Sequence, residues 1–334
     1  MLLLYINQNK IAMKKIIFSL AVSLIISLKS FAVEEKPHMI RTFDGSKTNR
    51  IEVKTSGGYI SLIGGNEANA RVEVYVKGNN WKGKNLSTEE ITEKLKQYTL
   101  SVTQKGNVLE CIAKNNNKEN SDLSISFKVF CPKNLDTDLN TSGGSISLKQ
   151  LQGDINFKTS GGSLDLIDLD GKLLGKTSGG SIHLENCHKN IKLETSGGSV
   201  NAKNCSGEIT IKTAGGSFNL DQMKGKISAI TSGGSINADN INGSFSAKTS
   251  GGSINADITH VDGEIKLETS AGSINLKLPE NEGMDLALEG NKIKYASLNN
   301  FKGKTTSKNL QGTVNGGGHK VSAYTSSGSV SVDF

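Results

Sequence analysis

Proline is nearly absent from this chain, at three residues in 334, and tryptophan occurs once. Aromatic residues amount to 5% and hydrophobic residues to 35%, thin for a conventionally packed core. Glycine is abundant, with 38 residues, yet it follows no G-X-Y triplet, which excludes collagen. Ile, Leu and Val recur at regular intervals, so the composition is not that of a disordered chain either. The formal charge of +7 invites a nucleic-acid reading, but the first 32 residues hold four lysines and no acid. Without them 35 basic and 32 acidic residues leave +3, too balanced for a phosphate-binding footprint. No apolar run follows the N-terminal one, which excludes a further membrane-spanning helix.

That N-terminal run reads as an export signal. Lys14 and Lys15 form a basic start, Ile16 to Leu28 is largely apolar, and Ser30-Phe31-Ala32 supplies small residues at the −3 and −1 positions. Residues 1–32 are therefore expected to be a signal peptide cleaved before Val33, with residues 1–12 lying upstream of its natural start at Met13. The mature chain is expected in the periplasm, at the cell surface or outside the cell.

Repetition dominates the remainder. TSGG begins at Thr55, Thr141, Thr159, Thr177, Thr195, Thr231 and Thr249, with variants at Thr213, Thr269 and Thr325. From Thr141 to Thr249 successive copies are evenly spaced, in an 18-residue step. The fifth residue after each Thr runs Ile146, Leu164, Ile182, Val200, Phe218, Ile236, Ile254, and the seventh runs Leu148, Leu166, Leu184, Ala202, Leu220, Ala238, Ala256. The residue between them is polar, the period of two that a strand with one buried face requires.

An 18-residue unit cannot bury its own apolar side chains, since ordering it costs about 27 kcal/mol. Stacking successive units into a continuous core removes the deficit. The expected fold is all-β: a parallel β-solenoid with about 18 residues per coil and a mixed N-terminal cap. Residues 33–140 form the first coil and the cap, 141–276 the regular coils, and 277–334 degenerate coils with a C-terminal cap. Within the cap, Ser87 and Glu90 stand at capping-box spacing at the head of a short helix. A hairpin is expected between residues 108–113 and 123–130.

The glycine pairs Gly143-Gly144, Gly161-Gly162, Gly179-Gly180, Gly197-Gly198, Gly215-Gly216, Gly233-Gly234 and Gly251-Gly252 are expected to turn each corner through positive φ. In the outward columns, Asn201, Asn219, Asn237, Asn255 and Asn275 suit an amide ladder.

With TSGGSI, the recurring SIN[AL], RIEVKTSGGYISL at Arg50 and GGGHKVSAYTSSGSVSV near the C-terminus in view, residues 40–334 resemble the bacterial β-strand-repeat adhesin family, related to the auto-transporter adhesin head GIN domain. The resemblance implies an exported β-helix at or outside the cell envelope. It supplies no catalytic residue, and no strands for a membrane barrel follow the repeats.

Cys187 and Cys205, one such step apart, share a column and are a candidate disulfide, as are Cys111 and Cys131 in the two cap strands. Buried thiols are the alternative. His183, Glu185, Cys187 and His188 crowd one unit, but alternation sends His183 and Glu185 outward and the Cys187 thiol inward, so they do not form a metal site. Gly171 to Thr177 resembles a phosphate-binding loop, yet its glycines are one residue too close and no helix pattern follows. The eighth column stacks Asp221, Asp239 and Asp257, whose repulsion a cation would relieve. They are the candidate metal or saccharide strip, and the candidate acids of a carbohydrate-active enzyme. A hydrated acidic face accounts for them more simply.

The resulting expectation is a non-catalytic structural or adhesin-like module. It is a monomer without cofactor or nucleic acid, meeting a surface partner, protein or glycan, through its long faces.

Overall fold

The computed structural model describes residues 36–66, 68–79, 86–117, 122–296 and 299–334. The export signal expected at residues 1–32 lies outside the described residues. Strands run parallel wherever the sequence repeats, because apolar side chains one repeat apart can then meet on a common interior. The column Ile146, Leu164, Ile182, Val200, Phe218, Ile236, Ile254 is in register strand on strand, and every member is buried to within 1%. Each repeat contributes one strand before its Thr, such as Ser206–Lys212, and one after its Gly-Gly, such as Val200–Lys203. In Phe218–Ile230 and Ile236–Lys248 the strand continues from one face into the next. Among the described residues, 27 strands join in a single hydrogen-bonded sheet. The fold is all-β and repetitive. None of the described helices is long and apolar enough to cross a membrane.

The corners depart from expectation. None of the paired glycines has positive φ. Each second glycine is required by close approach instead. A Cβ at Gly162, Gly180, Gly198, Gly216, Gly234 or Gly252 would stand 2.1 Å from the carbonyl oxygen of the equivalent glycine one repeat earlier. At the first glycine of each pair the corresponding separation is 3.3–3.7 Å, nearly ordinary contact. The chain itself makes the same distinction: Ala271 and Ser327 occupy the first position, while Gly272 and Gly328 keep the second.

Positive φ occurs at the other bend. Gln150, Asp168, Asn186, Asn204, Gln222 and Asn240 lie at φ 51–57°, a region that Asn and Asp tolerate better than most residues. Three residues on, Gly153, Gly171, Gly207, Gly225 and Gly243 form a second left-handed column, in which Lys189 at φ 83° replaces glycine.

Threonine locks the corner. Thr195 Oγ1 donates to the Gly180 carbonyl at 2.7 Å and accepts from Gly198 N at 3.3 Å, and the same pair of bonds recurs from Thr141 to Thr325. The hydroxyl therefore joins two repeats.

At the N-terminal end, Arg50–Thr55 and Ile60–Gly65 extend the first regular repeat in parallel. The helix Thr88–Leu95 carries the expected capping box between Ser87 and Glu90. The expected hairpin does not form. Val108–Asn115 pairs with Tyr98–Lys105 and Arg50–Thr55, whereas Leu123–Pro132 pairs with Asn69–Gly78 and Ile60–Gly65. The two strands belong to different faces because each continues a different strand of the first repeat.

The C-terminal end is out of chain order. His319–Thr325 lies between Ile265–Thr269 and Met284–Glu289, and Ser329–Asp333 between Ile274–Lys277 and Lys292–Tyr295. The final segment thus completes a repeat. The outer strands are Lys292–Tyr295 and Phe301–Thr305, the latter reached through Asn309–Val314 in antiparallel pairing.

Candidate functional site

Once the interior and the Thr column are committed to the scaffold, the outward columns remain for chemistry. Beside the Gly-Gly corner, Asn219, Asn237, Asn255 and Asn275 each donate from Nδ2 to the Oδ1 of the preceding Asn, at 2.8–3.2 Å. This is the ladder the column implied. The adjacent Asp column does not converge. Asp221 stands opposite Asp239, but a register irregularity after Ala238 leaves Asp239 out of step with Asp257. Asp221 accepts from Asn240 at 2.9 Å and lies 3.9 Å from Lys203. Asp257 lies 3.5 Å from Lys277. Lysines thus bracket the acids, and Asp239 is open to solvent. A groove of about 240 Å³ runs here between Asp239, Asp257, Asn255, Asn275, Lys277 and Asp333. Among the described residues no three His, Cys, Asp or Glu side chains are grouped to hold a metal ion.

His183 lies 3.9 Å from Glu185 on the surface. The Cys187 side chain points inward and is fully buried, with Asn186 making the left-handed turn between them. His188 Nδ1 meets Ser206 Oγ at 2.8 Å. The residues from Gly171 to Lys176 form part of the strand Asp170–Lys176, in parallel register with its neighbours on both sides, and build no phosphate loop.

All four cysteines are free and buried. Cys111 stands opposite Val53 and Cys131 opposite Gly64, on strands of different faces, which explains why this candidate disulfide is not formed. Cys187 and Cys205 do occupy one column, and their thiols donate to backbone carbonyls, Cys187 to Leu166 and Glu185 at 3.4 Å and Cys205 to Lys203 at 3.2 Å; the neighbouring Cys205 thiol and burial raise the Cys187 pKa. They too are thiols rather than a disulfide. Burial pushes the Cys111 thiol up to about 12, so that thiol is not poised as a nucleophile.

The threonine hydroxyls are buried between repeats. The column from Thr141 to Thr325 is 0–6% exposed, which removes it from any surface function. A third outward set stands on the strands preceding Thr, where the residue before each Thr runs Lys158, Lys176, Glu194, Lys212, Ile230, Lys248 and Glu268 and opposite charges on neighbouring repeats meet as that order implies. There Lys176 pairs with Glu194 at 3.3 Å and Lys248 with Glu268 at 3.0 Å. Its charges were legible, but the grooves between them were not. One of about 340 Å³ lies at the C-terminal end, beside Tyr324 and Glu268.

This arrangement defines a repetitive scaffold with polar faces, and the family model for Toastrack DUF4097 matches residues 48–333. The chain belongs to the Toastrack DUF4097 family, in keeping with the β-strand-repeat resemblance carried by its TSGGSI motifs. No curated relative matches it. Two similar solved structures are described as putative adhesins. The one from Parabacteroides distasonis ATCC 8503 shares 14% identity over 71% of this chain and 96% of its own, with a TM-score of 0.46. The one from Bacteroides fragilis NCTC 9343 shares 14% identity over 88% and 95%, with a TM-score of 0.34.

Proposed function

We propose that this protein is an exported, non-catalytic, adhesin-like binding module, a parallel β-solenoid whose polar faces meet a protein or glycan at the cell envelope or beyond it. One observation carries the reading: the 18-residue register consumes the apolar columns and the threonine hydroxyls in holding repeat to repeat, and leaves only outward rows of amides and charges for contact. Such rows recur from repeat to repeat, which suits adhesion through many weak contacts and does not suit a unique catalytic centre. In this reading residues 1–32 are the export signal, 33–140 cap the first coil, 141–276 are the regular rod and 277–334 close it. The module acts as a monomer and needs neither cofactor nor nucleic acid.

Fractionating the producing cells and assaying beads coated with residues 33–334 on immobilised matrix proteins and glycans tests this reading. Processing after Ala32, recovery outside the cytoplasm, and adhesion without cleavage of the surface are expected. An unprocessed chain in the cytoplasm, or glycan cleavage abolished by Asp239→Asn, would overturn it.

A further inference from the structure

We propose that the groove beside Tyr324 is a binding site for a short neutral glycan, a deepening that rests on the adhesin-like reading above. The residue preceding the corner Thr is Asn140, Lys158, Lys176, Glu194, Lys212, Ile230, Lys248 and Glu268 in successive repeats. At the last corner it is Tyr324, an aromatic ring 46% exposed. Three strands far apart in sequence bring its neighbours together. Glu268 lies opposite Tyr324 on one side and Glu289 on the other, and Asn309 lies opposite Glu289. One pleat along, Lys266, Ser322, Ala287 and Gln311 stand in the same order. Ala287 is small and exposed, and at that point the surface sinks into the groove of about 340 Å³.

The chemistry of the walls selects the ligand. An exposed tyrosine face stacks on the C–H face of a pyranose ring. Amides and carboxylates beside it present paired donors and acceptors to neighbouring hydroxyls. Glu268 is already held by Lys248 at 3.0 Å and Lys266 at 2.9 Å, so it is a fixed acceptor. Glu289, Asn309 and Gln311 are exposed and are not held by any ion pair or side-chain bond among the described residues. Glu268 is balanced by its two lysines, which leaves the unpaired carboxylate of Glu289 at the groove and disfavours acidic sugars. The polar rim disfavours a purely apolar ligand, and the volume lies near the lower end for small-molecule sites, enough for a short oligosaccharide. The Asn ladder lacks such a platform: its amides are spent on one another, and no aromatic ring lines the groove beside them.

Saturation-transfer NMR on residues 33–334 with N,N′-diacetylchitobiose, cellobiose and lactose as probes, and 3′-sialyllactose as the acidic comparison, tests the site. At least one neutral disaccharide is expected to bind, with the acidic probe weaker. Tyr324→Ala is expected to weaken binding at least tenfold and Gln311→Ala several-fold, while Asn237→Ala on the other face changes nothing. Thermal melting of each variant verifies folding, and the surface position of Tyr324 predicts an unchanged midpoint. Absence of binding by all three neutral probes, equal binding by Tyr324→Ala, or preference for the acidic probe would overturn the site. Bead adhesion separates the two readings: adhesion unaffected by Tyr324→Ala defeats the groove alone, whereas wild-type beads that adhere to nothing defeat the adhesin-like reading itself.

Discussion

The regular repeats and the C-terminal end use the same materials to different effect. Between Thr141 and Thr249 each strand meets its counterparts one repeat before and one repeat after it, so up to the irregularity after Ala238 the buried side chains stack on their positional equivalents. Beyond Lys277 the partners are distant: Thr269 pairs with Thr325, and Met284 with both His319 and Val314. Uniform stacking yields a continuous interior and outward rows whose neighbours come from adjacent repeats. Irregular stacking places unlike residues side by side and creates the Tyr324 groove. Stability resides in the first arrangement, whereas individuality resides in the second.

The contrast predicts where substitutions matter. The largest effect is expected inside the regular stack, where Ile236 is fully buried. Ile236→Asp should cost about 4 kcal/mol or more, because it places a charge in the core, while its surface neighbour changed by Asn237→Ala should cost less than about 1 kcal/mol. Denaturant titration measures both, and equal costs would show that the buried column does not carry the stack.

Next come the corner glycines. Gly198→Ala drives a Cβ to 2.1 Å from the Gly180 carbonyl and should cost about 3 kcal/mol. Gly197→Ala, whose Cβ meets nothing nearer than 3.6 Å, should change stability by less than about 1 kcal/mol. Midpoints that shift alike for the two variants would refute close approach as the reason for the second glycine.

Thr195→Val keeps the shape but strands the Gly180 carbonyl and the Gly198 amide, for about 1–3 kcal/mol. A similar change at Thr305, which is exposed and outside these hydroxyl bonds, should have little effect.

A smaller effect, of opposite sign, is expected at Lys189. Its φ of 83° sits where the equivalent residues are glycine, so Lys189→Gly should stabilise by about 1 kcal/mol. A loss of stability would indicate that the ion pair with Asp170 outweighs the backbone.

The subtlest test concerns pH. The Cys111 thiol is raised from 9.0 to about 12 by burial and then by Glu110, so the folded state favours its protonated form. That contribution is complete below pH 9 and is lost as pH rises through about 12. Wild-type stability should therefore fall more steeply than that of Cys111→Ala across this window, and parallel curves would contradict the raised value.

The repeat was legible because its chemistry recurs at a constant interval. The columns headed by Ile146 and Leu148, the Asn ladder and the capping box at Ser87 all follow from spacing. The reason for the glycines was misread: a glycine signals permissiveness, and sequence does not distinguish a need for positive φ from a need for closeness. The Tyr324 groove was invisible because its walls come from residues 266–268, 287–289, 309–311 and 322–324, segments joined by no period. The Asp column was legible as a row but not as a register irregularity, since one displaced residue after Ala238 leaves no mark in composition.

By itself the sequence determined the 18-residue step, the two faces of each strand and the identity of the buried columns, because local alternation and repetition specify which side chains must avoid water. Only the tertiary structure decided which distant strands close the two ends, where the threonine hydroxyls point and where unlike side chains gather into a groove. Those outcomes depend on pairings across long stretches of chain, and the energy of a pairing is known only when both partners are in place.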